Sequence, residues 1–169
     1  MSGASARAVA VAVGAIDVSV RAVPDPELGG VTIGELGLVV SVEVDDANAA
    51  SVVLIPTFLG CPALRMIADD VRRAAMAAGA SAASVRFAHE PAWTPDRISA
   101  EGRRQLAEVG IAVPVAADAH TPAVTSCPIC GSSSLEARSP VGPTACRSVA
   151  WCPACRNVVE IMRGNHAHL

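Results

Sequence analysis

Two Cys-x-x-Cys pairs, Cys127-Pro128-Ile129-Cys130 and Cys152-Pro153-Ala154-Cys155, stand near the end of this 169-residue chain. A tail of roughly forty residues is too short to hold itself together by apolar burial alone. Its fold must therefore be stapled, and in a reducing compartment paired thiols staple through a metal or act as redox dithiols rather than forming structural disulfides. Four thiolates suit a closed, tetrahedral zinc site. A single iron bound by the same sulfurs, or two redox-active dithiols, are the alternatives.

The 21 residues between Cys130 and Cys152 leave room for a hairpin arm, and the arrangement resembles the knuckles of a zinc ribbon. Cys146 is left over: it is either a buried hydrophobe beside Trp151 or an additional ligand to a transient metal or cluster. His166 and His168 follow Gly164 in a tail and read as solvated. The sixth cysteine, Cys61, stands apart in Pro56-Thr57-Phe58-Leu59-Gly60-Cys61-Pro62.

The net charge of −3 and the scattered arginines, with no lysine, argue against nucleic acid as the main partner. The 51% hydrophobic share is mostly alanine and valine. Its runs fall short of the ~18–20 apolar residues that a membrane-spanning helix needs. The apolar stretch Ala8 to Ile16 is preceded by a single arginine and stops at Asp17, so no secretory leader is expected and the chain reads as cytoplasmic.

Along the chain, residues 1–23 predict a short helix or strand, a choice that periodicity leaves open. Asp25-Pro26-Glu27 and Gly29-Gly30 mark turns. Leu36 to Val44 predicts a strand with Leu38, Val40, Val42 and Val44 on one apolar face. Asp45 to Asn48 supplies a turn and Ser51 to Thr57 a second strand, together an antiparallel hairpin. Pro62 predicts a helix start, with Leu64, Ile67, Ala68, Val71, Ala75 and Ala78 facing inward, an Asp69–Arg73 pair outside and Gly79 as the stop. Val85, Phe87 and His89 predict a third strand. Thr94-Pro95 starts a helical turn, and Ser99 caps a helix to about Val109. Ala112 to Ser126 reads as a linker.

Cys61 is expected at the N-cap of the helix beginning at Pro62, where the positive helix end would favour its thiolate. A small buried side chain at a tight turn is the plainer alternative. Asp25 and Glu27 read first as turn formers, and as oxygen ligands if their loop folds back beside Cys61. His89 reads as a hydrogen-bonded core histidine ahead of a ligand, and Trp93 as either a core anchor or an exposed contact.

Val23-Pro24-Asp25-Pro26-Glu27, Leu36-Gly37-Leu38-Val39 and Thr57-Phe58-Leu59-Gly60-Cys61-Pro62, in this order, resemble the small α/β domain of iron–sulfur assembly factors that includes SufT-type proteins. With Pro91-Ala92-Trp93-Thr94, Ile98 to Arg104, the cysteine ribbon and Thr144-Ala145-Cys146, the chain resembles the PaaD family over about residues 20–163. That family is the accessory protein of the phenylacetyl-CoA epoxidase system in aerobic phenylacetate breakdown. The resemblance implies an α/β (α+β) fold, with a small mixed sheet and flanking helices over residues 1–111, a linker at 112–126, and a zinc ribbon and tail at 127–169.

It further implies Asp25, Glu27, Thr57 and Cys61 as the cluster- or iron-transfer residues, and Cys127, Cys130, Cys152 and Cys155 as structural zinc ligands. On this resemblance the expected cargo is a transient iron or iron–sulfur cluster and the expected partners are the oxygenase and reductase components, with a homodimer that shares a second chain's Cys61 as a further option. Arg163-Gly164-Asn165-His166 stands where relatives often carry another cysteine. Two other functions stay open, a stable non-catalytic subunit of the oxygenase and a thiol oxidoreductase. No Glu-x-x-His pair, dinucleotide-binding glycine motif or P-loop points to direct oxygenase catalysis.

Overall fold

The computed structural model of the chain describes residues 13–115 and 125–163. They divide into two compact units, one of residues 13–56 with 62–91, the other of residues 92–115 and 125–163 with the loop 57–61. The sequence instead predicts a boundary at 111–112. His166 and His168 lie outside the described residues.

The first unit opens with helix α1, described over residues 13–21. Its helical period places Ile16 and Val20, four apart, in the core at 0% exposure, and the open choice between helix and strand is settled as helix. Thr32 and Glu35 then cap each other: the Thr32 N–H donates to Glu35 Oε2 at 2.8 Å and the Glu35 N–H to Thr32 Oγ1 at 3.1 Å. This local exchange satisfies two backbone donors and fixes a turn that buries Val31, Ile33 and Leu36.

Strand β1, Val39–Val44, pairs antiparallel with β2, Ala49–Leu54. Asp45 makes the hairpin by accepting the N–H groups of Ala47 and Ala49, and Asn48 takes a left-handed φ of 59°. The predicted apolar face is corrected. Val39 opposes Leu54 and Ser41 opposes Val53, so Val40 is the extra residue of a bulge and is exposed. The bulge moves the alternation by one position, and Val39, Val42 and Val44 share the face of Leu54, Val52 and Ala50.

From β2 the chain crosses through α2, Leu64–Ala77, to β3, Ala82–Phe87, which lies parallel to β2 and completes a mixed sheet of order β1-β2-β3. Of the apolar stripe read from the sequence, helix α2 buries Ile67, Ala68, Val71 and Ala75, while Leu64 and Ala78 at its two ends are half-buried. Its acids pair one residue closer along the helix than predicted, Asp69 with Arg72 and Asp70 with Arg73, each three apart rather than four. Gly79, at φ 104°, ends it. His89 lies beyond the last pairing of β3 and is exposed, contrary to the core position expected.

In the second unit Trp93 is fully buried and so is a core anchor. A 3₁₀ turn, Pro95–Arg97, precedes α3, Ala100–Glu108, capped as predicted by Ser99 Oγ accepting the Gly102 N–H at 3.0 Å. The Arg103 guanidinium donates to the carbonyls of Pro95, Ile98 and Pro114, closing the segments around this helix on one another.

Strand β4, Ile111–Ala112, pairs parallel with β7, Asn157–Met162; β6, Arg147–Cys152, and β5, Glu136–Ser139, complete the sheet β4-β7-β6-β5. The predicted linker thus begins inside a strand, because Ile111 and Ala112 are buried there; residues 116–124 lie outside the described set. No helix among the described residues is long and apolar enough to cross a membrane.

Candidate metal centre and the Cys61 loop

Two knuckles of matching geometry carry the ribbon cysteines. In the first, the Gly131 N–H donates to the Cys127 carbonyl at 2.8 Å and Gly131 has φ 77°. In the second, Arg156 does the same toward Cys152 at 2.8 Å with φ 58°. Each left-handed residue turns the chain back, and the two cysteines of its pair face those of the other pair. Cys127 and Cys152 are buried, and with Val159 and Ala112 they form a small apolar cluster on which Leu135, Cys155 and Ile161 pack.

Cys127 Sγ lies 3.7 Å from Cys155 Sγ and Cys130 Sγ 3.6 Å from Cys152 Sγ, with all four sulfurs within 4.8 Å of one another. A tetrahedral site with metal–sulfur bonds of about 2.3 Å has sulfur–sulfur edges of about 3.8 Å. The quartet therefore fits a four-thiolate metal ion. Among the described residues it is the group of metal-capable side chains that converges.

The metal-free thiols are not equivalent. The Cys155 backbone N–H lowers the Cys152 thiol to about 7 against the opposing effect of burial. The Ser132 N–H favours the Cys130 thiolate, but desolvation and the neighbouring sulfurs outweigh it and push that thiol up to about 12. Cys152 is the readier of the two to ionise.

Cys146 is buried but stands outside the quartet. Its sulfur lies 3.0 Å from Thr144 Oγ1, which accepts from Arg147 Nε at 2.8 Å. Arg147 Nη1 lies 2.7 Å from Glu160 Oε2, close enough for an ion pair although not aligned as a hydrogen bond. Sequence reading missed this run from thiol to carboxylate. Arg147 and Glu160, each the one charged residue in its strand, are the signal in the sequence.

Cys61 is half-buried in the loop that follows the carboxyl end of β2. It is not the N-cap of α2, as the sequence predicts. That position belongs to Ala63, whose carbonyl accepts the Ile67 N–H at 2.9 Å. Cys61 instead closes a tight turn, its N–H donating to the Phe58 carbonyl at 3.2 Å. Thr57 is half-buried at the start of this loop. In the first unit, Asp25 Oδ1 accepts the N–H groups of Glu27 and Leu28 at 2.8 and 3.1 Å, so the Asp-Pro segment builds its own turn.

Comparison with known proteins follows this division of the chain. Residues 14–86 match the description of an iron-sulfur cluster assembly protein, and residues 112–163 that of the PaaD zinc beta ribbon domain. A solved domain of unknown function from Bacillus anthracis shares 31% identity at a TM-score of 0.53, over 57% of this chain and 92% of that one. The Bacillus subtilis Fe-S protein maturation auxiliary factor YitW is 37% identical over 78 residues, 46% of this chain and 76% of its own. An Escherichia coli K12 protein, provisionally named as one of the subunits of 1,2-phenylacetyl-CoA epoxidase, is 34% identical over 143 residues, 83% of this chain and 86% of its own.

Fold and site together define a class: an iron–sulfur-assembly-type α+β domain followed by a zinc ribbon. The likeness that spans both parts narrows it further. The chain belongs to the PaaD family.

Proposed function

We propose that the chain is a non-catalytic accessory factor that helps mature an iron–sulfur or iron centre, with the phenylacetyl-CoA epoxidase system as its client. One observation carries this reading: a single chain joins a region similar to a named Fe-S maturation auxiliary factor to the ribbon of the PaaD family. In this reading Cys61 is the transfer ligand, with Thr57 beside it in the loop and Asp25 and Glu27 shaping the turn of the first unit. The cargo, iron or a cluster, is a substrate that passes on by ligand exchange. A lone thiol per chain leaves most ligand positions to a second copy and to the acceptor's cysteines. The four ribbon thiols hold zinc, which has no redox chemistry and closes the tail's fold. The setting is cytoplasmic, and the oxygenase and reductase components are the partners.

Reconstitution tests this. Cys61→Ser protein should fold and keep its zinc, yet fail to support iron content and epoxidase activity in the partner; full support would defeat the carrier role. The Escherichia coli relative's name favours a second reading, a stable subunit. Co-purification with the oxygenase at fixed stoichiometry would select it.

A further inference from the structure

We propose that Phe58 and Gly60 are positioning residues for Cys61, acting as a ring-on-backbone latch over the turn that carries the thiol. The inference rests on the reading of Cys61 as the transfer ligand and adds how its presentation is set.

Glycine is present at position 60 for room rather than for backbone conformation. Gly30, Gly79, Gly110 and Gly131 all have φ between 77° and 104°, and a Cβ at any of them would meet nothing within 4 Å. Those glycines answer a conformational demand. Gly60 has no left-handed φ, and a Cβ there would sit 2.8 Å from Phe58 Cε1 and 3.0 Å from Cζ. The Phe58 ring therefore occupies the space that any other side chain at 60 would need.

That placement is unusual for a phenylalanine. Phe58 is 38% exposed and does not fill a core. It folds across its own turn, in which the Cys61 N–H reaches back to the Phe58 carbonyl at 3.2 Å. One residue thus holds the turn twice, by its carbonyl on Cys61 and by its ring on Gly60. A ring edge seated on Gly60 limits how the short hydrogen-bonded turn can open, and Cys61 at the end of that turn is half-buried. Releasing the ring frees the loop and uncovers the thiol.

The obstructing atoms are the far end of a side chain, so Gly60→Ala should swing the ring aside without unfolding the protein. Full-length, zinc-loaded wild type, Gly60→Ala, Phe58→Ala and the double variant would be treated with iodoacetamide, and labelling at Cys61 followed by peptide mass spectrometry. Each single change should speed labelling at least about threefold, and the double should be no faster than the faster single, as for two residues acting through one contact. Thermal melts would confirm folding, and Phe58→Ala, which clashes with nothing, carries the test if Gly60→Ala does not fold. Unchanged rates in both singles, or single effects that multiply in the double, overturn the latch. Labelling needs no cargo, so its outcome is separate from the Cys61→Ser reconstitution that decides the transfer reading.

Discussion

Trp93, at 0% exposure, is the largest side chain buried completely. Its truncation to alanine should cost the second unit about 3–5 kcal/mol, read as a lowered denaturant midpoint. Cys146 raises a different question, because its chemistry was open in the sequence and its position narrows it. The thiol bonds to Thr144 and lies outside the sulfur quartet. Cys146→Ser should therefore leave metal content unchanged by elemental analysis and cost about 1 kcal/mol, the usual scale of one altered hydrogen bond. If metal is lost, Cys146 belongs to the site.

Among the elements, the two knuckles share one backbone shape with different residues at the left-handed position, Gly131 and Arg156. Gly131→Ala meets no steric obstacle, so its cost is that of the left-handed backbone, about 1–2 kcal/mol. A chelator competition should show metal affinity lowered accordingly, and Gly131→Asn should lose less. The same elements show what sequence makes legible. Helix α2 is readable because its apolar stripe has the helical period, α3 because Ser99 and Gly110 punctuate it, and the quartet because Cys-x-x-Cys spacing itself forces convergence. The face of β1 is not readable, since a bulge at Val40 depends on how β2 pairs and not on β1 alone. Nor is the start of α2: Pro62 is compatible with a first helical position, yet the first hydrogen-bonded turn forms on Ala63. Strand β4 escapes because two residues carry no period, and only the distant β7 makes them a strand.

For the whole molecule, removing the metal should divide the chain's behaviour. The ribbon's own apolar cluster is small, so a chelator should abolish amide-exchange protection in β5, β6 and β7 while β1, β2, α2 and β3 keep theirs. Acid should act in the same sense. Thiolates bind the metal, so protons compete and affinity falls as pH falls. Because free Cys152 gives up its proton near pH 7, below that value one more proton must leave on binding. The plot of log affinity against pH should steepen there by about one unit of slope. The bulge at Val40 has a counterpart: in β5 Ala137 opposes Ala150 and Ser139 opposes Val149, leaving Arg138 as the extra residue. Both bulged strands are outermost in their sheets. An outermost strand offers free backbone groups to any passing chain, and a kink spoils the straight row that a visitor would need. The two irregularities thus make these two edges poorer templates for a neighbouring molecule's strand.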